Sequence, residues 1–266
     1  IEVALSTVNV ENWHGLRWSS DVNWNKQRNE ITSLQSGTQQ NLLNVWFVGQ
    51  PINLNDGLHA VFFDYTSQGV WQYADTVAMK QLNSTGSTFK VGQPRVADIN
   101  GDGKIDVNDR SIIGTQYPKW TGSFANRFAY KGWDLSGLIT AKWKYTFIDG
   151  TPRGMNGRNG NIVMDYWTPT NPTNENAAPQ VPNSGGAWQY QNVLLYRDGS
   201  HWRIRNVTLG YTAGERLAGR IGAASLRLYA TAQDPYIHTD YPGTDPEVGG
   251  SAPTIRTLLI GTNINW

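Results

Sequence analysis

Residues 98–109 read D-x-N-x-D-G-x-I-D-x-x-D, a spacing that sets oxygen ligands where a Ca²⁺ ion can use them. Asp98, Asn100 and Asp102 take loop positions one, three and five, Gly103 stands at the sharp turn, Lys104 offers its backbone carbonyl, and Asp109 closes the loop at position twelve. An EF-hand has the longer, bidentate Glu there, so Asp109 must draw the loop tighter or leave one ligand position to water. The flanks argue against a helical calcium sensor: Gly92-Gln93-Pro94 precedes the loop, and Gly114 and Pro118 soon follow it, which leaves little room for an amphipathic helix on either side. The expected role is a metal staple, an ion that neutralises clustered carboxylates so that a long, exposed loop holds one shape.

Something must carry that loop, and alternation supplies the candidates. From Trp133 to Tyr145 the odd positions are Trp133, Leu135, Gly137, Ile139, Ala141, Trp143 and Tyr145, and the even ones, apart from Leu138, are polar. The same split recurs at Leu226, Leu228, Ala230 and Ala232, and again at Leu258, Ile260, Thr262, Ile264 and Trp266, with Leu259 out of phase. Weaker alternation covers residues 1–10, 14–26 and 119–130. In 201–212 Val207, Leu209 and Tyr211 agree in phase while Trp202 and Ile204 oppose them, which a bulge near Arg205 or Asn206 would reconcile.

These are seven strands whose connections alternate between short (9–13, 130–132, 213–222) and long (27–118, 148–200, 234–254). Short turns at one end and long loops at the other describe a transmembrane β-barrel, with the long loops outside the cell. Trp133 and Trp143 bracket one apolar stretch, and Trp120 and Tyr130 another, as interfacial girdles do. Composition is compatible. The chain has 266 residues, 12 Trp, 12 Tyr, no Cys and a net charge of +1, which rules out disulfides and thiolate metal sites and gives no electrostatic footprint for nucleic acid. No apolar run approaches the ~18 residues of a membrane helix, a test that barrel strands escape.

Several segments taken together resemble a known family. Gly92-Gln93-Pro94 through Asp109-Arg110, then Ile113-Gly114 and Pro118, then the run from Phe128 to Ser136 are similar to SusC/RagA-type TonB-dependent outer-membrane transporters. So are Asp198-Gly199-Ser200-His201-Trp202 through Leu209-Gly210-Tyr211, and, upstream, Val48-Gly49-Gln50-Pro51 and Gly69-Val70-Trp71-Gln72. The strand ending in Trp266 resembles the barrel insertion signal, with Trp in place of the usual Phe.

The resemblance implies an all-β fold: residues 1–266 as the C-terminal part of a 22-stranded antiparallel transmembrane β-barrel, about seven strands of it, with 27–118 an extracellular region carrying the loop 98–109. It implies import of oligosaccharides or peptides across the bacterial outer membrane, with a SusD-like lipoprotein at the surface and TonB acting through an N-terminal region outside this chain. In that reading Asp98, Asn100, Asp102, Lys104 and Asp109 hold Ca²⁺, Asp106 reaches it through water, and Arg17, Asp21, Lys142 and Arg227 line the lumen.

A secreted, calcium-stabilised β-sandwich that binds carbohydrate is the competing expectation, distinguished by whether the apolar face is covered by a second sheet. An enzyme is not expected. His14, His59, His201 and His238 are scattered, neither G-x-S-x-G nor H-E-x-x-H occurs, and Asp240 and Asp245 stand in a Gly/Pro-rich loop with no evident group to position them. Residues 153–161 and 171–182 read as loops, and the sequons at Asn83 and Asn206 as incidental.

Overall fold

The computed structural model describes residues 1–52, 60–150, 165–179, 188–249 and 252–266. Seven strands form one sheet: β1 (Glu2–Trp13), β2 (Leu16–Asn25), β3 (Trp120–Tyr130), β4 (Trp133–Trp143), β5 (His201–Thr212), β6 (Ser225–Thr239) and β7 (Thr257–Asn265). Each pairs antiparallel with its neighbour in chain order, an up-and-down meander in which β1 and β7 are bonded on one side only.

Two of the turns are as tight as a hairpin permits. His14-Gly15 and Lys131-Gly132 hold φ of 52°, 92°, 47° and 88°, so both are two-residue turns with left-handed backbone throughout, the twist that matches paired strands. Gly at the second position carries that geometry without strain, and His14 and Lys131 tolerate it at the first. The third connection on this side, residues 213–224, holds the short helix α2 (Glu215–Gly219), named in chain order after α1 (Thr76–Asn83) in the first long loop.

Register fixes which residues share a face. Ile139 lies opposite Phe124 on β3 and Ile204 on β5, and Leu135 opposite Phe128 and Leu209. Ile260 on β7 continues the same face through Ala230 on β6. The predicted bulge is present: the register shifts between Ile204 and Asn206, leaving Arg205 as the extra residue, and this keeps Ile204 and Val207 on one face. β6 runs seven residues beyond the end of its alternation at 232, because Asp234, at φ +45°, interrupts the pattern and the strand then resumes to Thr239.

Among the described residues, the apolar face carries no second layer. Val3, Leu5, Leu135, Leu209, Leu228, Leu258 and Ile260 are all exposed, the last at 82%. The β-sandwich expectation fails here, since a sandwich buries this face against another sheet, and the remaining sheets of the described residues are two-stranded ladders. Rings gather at the two ends of the face. Trp120 and Trp143 stack at 6.0 Å at one end; Trp133 meets Tyr211 at 4.8 Å at the other, beside Tyr130. Ten residues of strand span about 34 Å, and a tilt of about 40° reduces that to about 26 Å of height, close to the ~25 Å apolar band of an outer-membrane barrel.

The long connections fold rather than sprawl. Val70, Trp71, Met79, Phe89 and Val96 from the first pack with Trp167, Val193 and Leu194 from the second into one small core, with Ile105 against it. Residues 153–161, part of 171–182, and His59 lie outside the described residues.

Ile139 sits mid-strand on the uncovered face, so Ile139→Arg in the full-length protein is expected to cost ~2–4 kcal/mol of unfolding free energy in lipid vesicles. Leu138→Arg, one residue earlier and facing the polar side, is expected to cost well under half as much; equal costs would show the two faces to be wrongly assigned.

Candidate functional site

The polar face of the sheet holds the charged groups in rows. Arg17, Asp21, Lys142 and Arg227, expected to line the lumen, fall on it together. Asp21 pairs with Arg127 across the β2–β3 ladder. Asp134 on β4 and Arg227 on β6 meet over the intervening β5 by two parallel bonds, Nη2 to Oδ2 at 2.6 Å and Nε to Oδ1 at 3.1 Å. They can do so because β5 has Gly210 between them: a Cβ there would stand 2.4 Å from the guanidinium and 2.5 Å from the carboxylate. Arg17 is exposed in the same row.

A denser cluster lies nearer the long-loop end. The connection from β6 to β7 turns inward and lays Asp245 and Glu247 against the wall made by β4 and β5. Glu247 accepts two bonds from Arg205 Nη2, at 2.7 and 2.9 Å, and stands 2.8 Å from Lys142 Nζ, 3.5 Å from His201 Nε2 and 3.5 Å from Arg203 Nη2. Asp245 takes a 2.6 Å bond from Arg203, both side chains being only 4% exposed, and further bonds from Thr254 and the Glu247 N–H. Asp234 on β6 adds weaker contacts to Arg203 and Arg205 at 3.5 and 3.3 Å. The cluster holds three fixed cations and three carboxylates, so it is balanced.

His201 is oriented by its other nitrogen. Nδ1 lies 2.8 Å from the Gly199 carbonyl, which can only accept, so Nδ1 carries a proton and Nε2 faces Glu247. The His201 imidazole, with Lys142 and Arg205, holds the Glu247 carboxyl well below the usual carboxylate range against the opposing effect of burial. Burial would raise Asp245; bonds from Arg203, Thr254 and the Glu247 N–H outweigh it and hold that carboxyl low as well.

Sequence reasoning set Asp245 aside as unpositioned, and the structure corrects this. Its partners, Arg203 and Thr254, lie 42 and 9 residues away in sequence, and only the inward turn of the loop brings them together. The available signal was the bulge: residues 203 and 205 are both Arg, and the extra residue between Ile204 and Asn206 sends both guanidinium groups inward. Asp240 is not part of the cluster and is exposed.

The loop 98–109 is folded by its own side chains. Asp98 accepts from the N–H groups of Gly101 and Gly103, at 2.7 and 2.8 Å, and Gly103 makes the expected left-handed turn at φ +78°. Asn100 and Asp102 accept from the N–H groups of Asp102 and Lys104. Asp106 caps Asn108, and the fully buried Asp109 ties the loop's two halves together through Ile99 N and Asp106 N, at 2.9 and 2.8 Å. All six predicted residues share one compact loop, but among the described residues no three His, Asp or Glu side chains are arranged as a ready metal-ligand set. The donor set is wholly oxygen, and each carboxylate oxygen that accepts one N–H keeps a second lone pair, which suits a hard cation such as Ca²⁺.

No family model matches the chain. It is 27% identical over its whole length to TonB-dependent receptor P3 of Formosa agariphila, covering 28% of that protein. It is 24% identical over 93% of its length to TonB-dependent receptor SusC of Bacteroides thetaiotaomicron, covering 24% of that protein. The solved RagAB peptide transporter superposes on 99% of the chain with a TM-score of 0.68 at 19% identity, and RagAB in its open-open state on 100% with 0.66 at 20%. The chain thus spans about a quarter of the length of these relatives.

Because the folded state depresses the Glu247 pKa, its docking contribution is complete above the ordinary carboxylate value of about 4.3 and is lost only as pH falls through the lower folded value. Proteolysis within residues 240–254 of the full-length protein is therefore expected to stay flat from neutral pH to about pH 4 and to rise below it. A rise already between pH 6 and 5 would contradict the ion cluster.

Proposed function

We infer that this chain, which forms seven strands of the barrel wall of a SusC/RagA-type TonB-dependent outer-membrane transporter, serves the import of nutrient into a Gram-negative bacterium. One observation carries this reading: a single meander has an uncovered apolar face girdled by rings and an opposite face lined with paired charges. Lipid suits the first face, and a water-filled lumen suits the second. The work of such a wall is to enclose a polar path and shape it, and no catalytic step is assigned to it.

Oligosaccharides and peptides are the two cargo classes to which this reading extends. SusC and the RagAB importer, which the chain resembles, support a SusD-like lipoprotein as the surface partner and TonB as the source of energy. The co-folded segments 60–115, 165–179 and 188–195 form a firm ledge at the long-loop end on which such a lipoprotein can seat. In this reading Ca²⁺ completes the loop at 98–109 through Asp98, Asn100, Asp102, the Lys104 carbonyl and Asp109, with Asp106 acting through water. A bound ion would neutralise the carboxylates and hold Ile105 against the ledge's core.

Two experiments test these statements. Deleting the gene from its native host is expected to abolish growth on one oligosaccharide or peptide mixture while leaving growth on monosaccharides and amino acids unchanged; undiminished growth on every oligomer, with the protein absent from outer-membrane fractions, would overturn the import reading. For the loop, chelator should speed proteolysis between residues 27 and 118 at least several-fold in the wild-type protein and leave an Asp98→Ala/Asp102→Ala variant, already fast, unaffected. Identical wild-type digestion with chelator and with Ca²⁺ would retire the metal.

A further inference from the structure

The cluster around Glu247 divides into two parts that belong to different elements. The wall contributes Lys142 from β4, His201, Arg203 and Arg205 from β5, and Asp234 from β6; the inward loop contributes Asp245 and Glu247. With the loop docked, fixed charge is balanced. Without it, the wall keeps three cations against one carboxylate, an excess of two positive charges on a surface that faces the lumen.

The bonds that the loop makes are those a bound anion would make. Glu247 sits on Arg205 through two bonds and on Lys142 through a third, while Asp245 fills Arg203. Arg205 is steadied from behind by Thr140 Oγ1 at 3.1 Å, so this donor is aimed before any ligand arrives, and the Gly199 carbonyl fixes the His201 ring beside it. The side of the loop turned away from the wall is bland: Pro242, Gly243 and Thr244 are exposed and carry no charge. Its anchorage is separate from the charges, since Tyr241 packs edge-on against Phe147 at 5.0 Å and Tyr145 donates to the Pro246 carbonyl.

We propose that Asp245 and Glu247 are built-in stand-ins for carboxylates of the cargo, and that the strip Lys142–His201–Arg203–Arg205 is a recognition site for anionic cargo that the loop occupies in its absence. The exchange is chemically selective. Lifting the loop leaves Arg203 and Arg205 facing the lumen without their carboxylate partners; a neutral ligand cannot replace those charged bonds, whereas an incoming carboxylate restores each one that it displaces. The ligand class is an oligomer bearing carboxylates, on sugar or on peptide. This inference rests on the import reading, and it adds the sign of the charge that the lumen selects.

The test uses the full-length transporter with its lipoprotein, in detergent, and calorimetric titration with tetragalacturonate, with a tetra-aspartate peptide, and with the methyl ester of each. Glu247→Gln removes the competitor while keeping its shape; it is expected to tighten one acid form about tenfold over wild type and leave its ester within about twofold. The acid that responds identifies sugar or peptide as the source of the carboxylate. Lys142→Gln, at a side chain 42% exposed, is expected to bring acid binding down to that of the ester. Acid and ester binding alike in both wild type and Glu247→Gln, or shifting together, overturns the proposal. If Glu247→Gln does not fold, Lys142→Gln decides: lost acid preference supports the site and retained preference overturns it. Failure of the import reading registers separately, in the growth of the deletion strain, which does not depend on Glu247.

Discussion

A sheet whose face lies in hydrocarbon cannot leave backbone N–H or C=O groups without a partner, because no water is present to satisfy them. That constraint selects the architecture seen here, in which every strand from β2 to β6 is bonded on both sides and consecutive strands are neighbours. Tight two-residue turns follow wherever the chain reverses without leaving the sheet, and His14-Gly15 and Lys131-Gly132 are such turns. The same constraint assigns the side chains: with the backbone satisfied internally, alternate residues are free to meet lipid on one side and water on the other.

Charges on the watery side then organise the lumen. Asp21 with Arg127 and Asp134 with Arg227 join strands in pairs, while Glu247 and Asp245 bring a whole loop down onto the wall. The Arg205 bulge links the two faces. One extra residue in β5 keeps Ile204 and Val207 in phase with the lipid-facing set and at the same time aims Arg203 and Arg205 together into the lumen. Gly210 has a comparable role, since its missing side chain is the space in which the Asp134–Arg227 pair lies.

All seven strands were legible in the sequence because a half-exposed strand writes its two environments directly as a period of two. Even the bulge was legible, as a phase break between Ile204 and Val207. The end of β6 was not, because Asp234 breaks the alternation and nothing local says that pairing resumes beyond it. Helix α1 was missed for a related reason: a short helix packed on a small core by the single buried residue Met79 shows little periodicity. The loop 98–109 was legible as a set of oxygen donors, since its spacing is local. The ion cluster was not, because its partners come from four segments and meet only once the loop after β6 has folded inward.

The central statement, that one face of this sheet is solvated by acyl chains and the other by water, is tested most directly on β4. This chain has no Cys, so single cysteines at positions 134 to 142 of the full-length protein, with any cysteine outside the chain replaced by Ser, can carry spin labels in vesicles. Relaxation by lipid-soluble oxygen is expected to peak at 135, 137, 139 and 141, and relaxation by a water-soluble nickel chelate at 134, 136, 138, 140 and 142, with the oxygen signal strongest near 139. Odd positions shielded from both reagents would mean that another protein layer covers them, and would contradict the account.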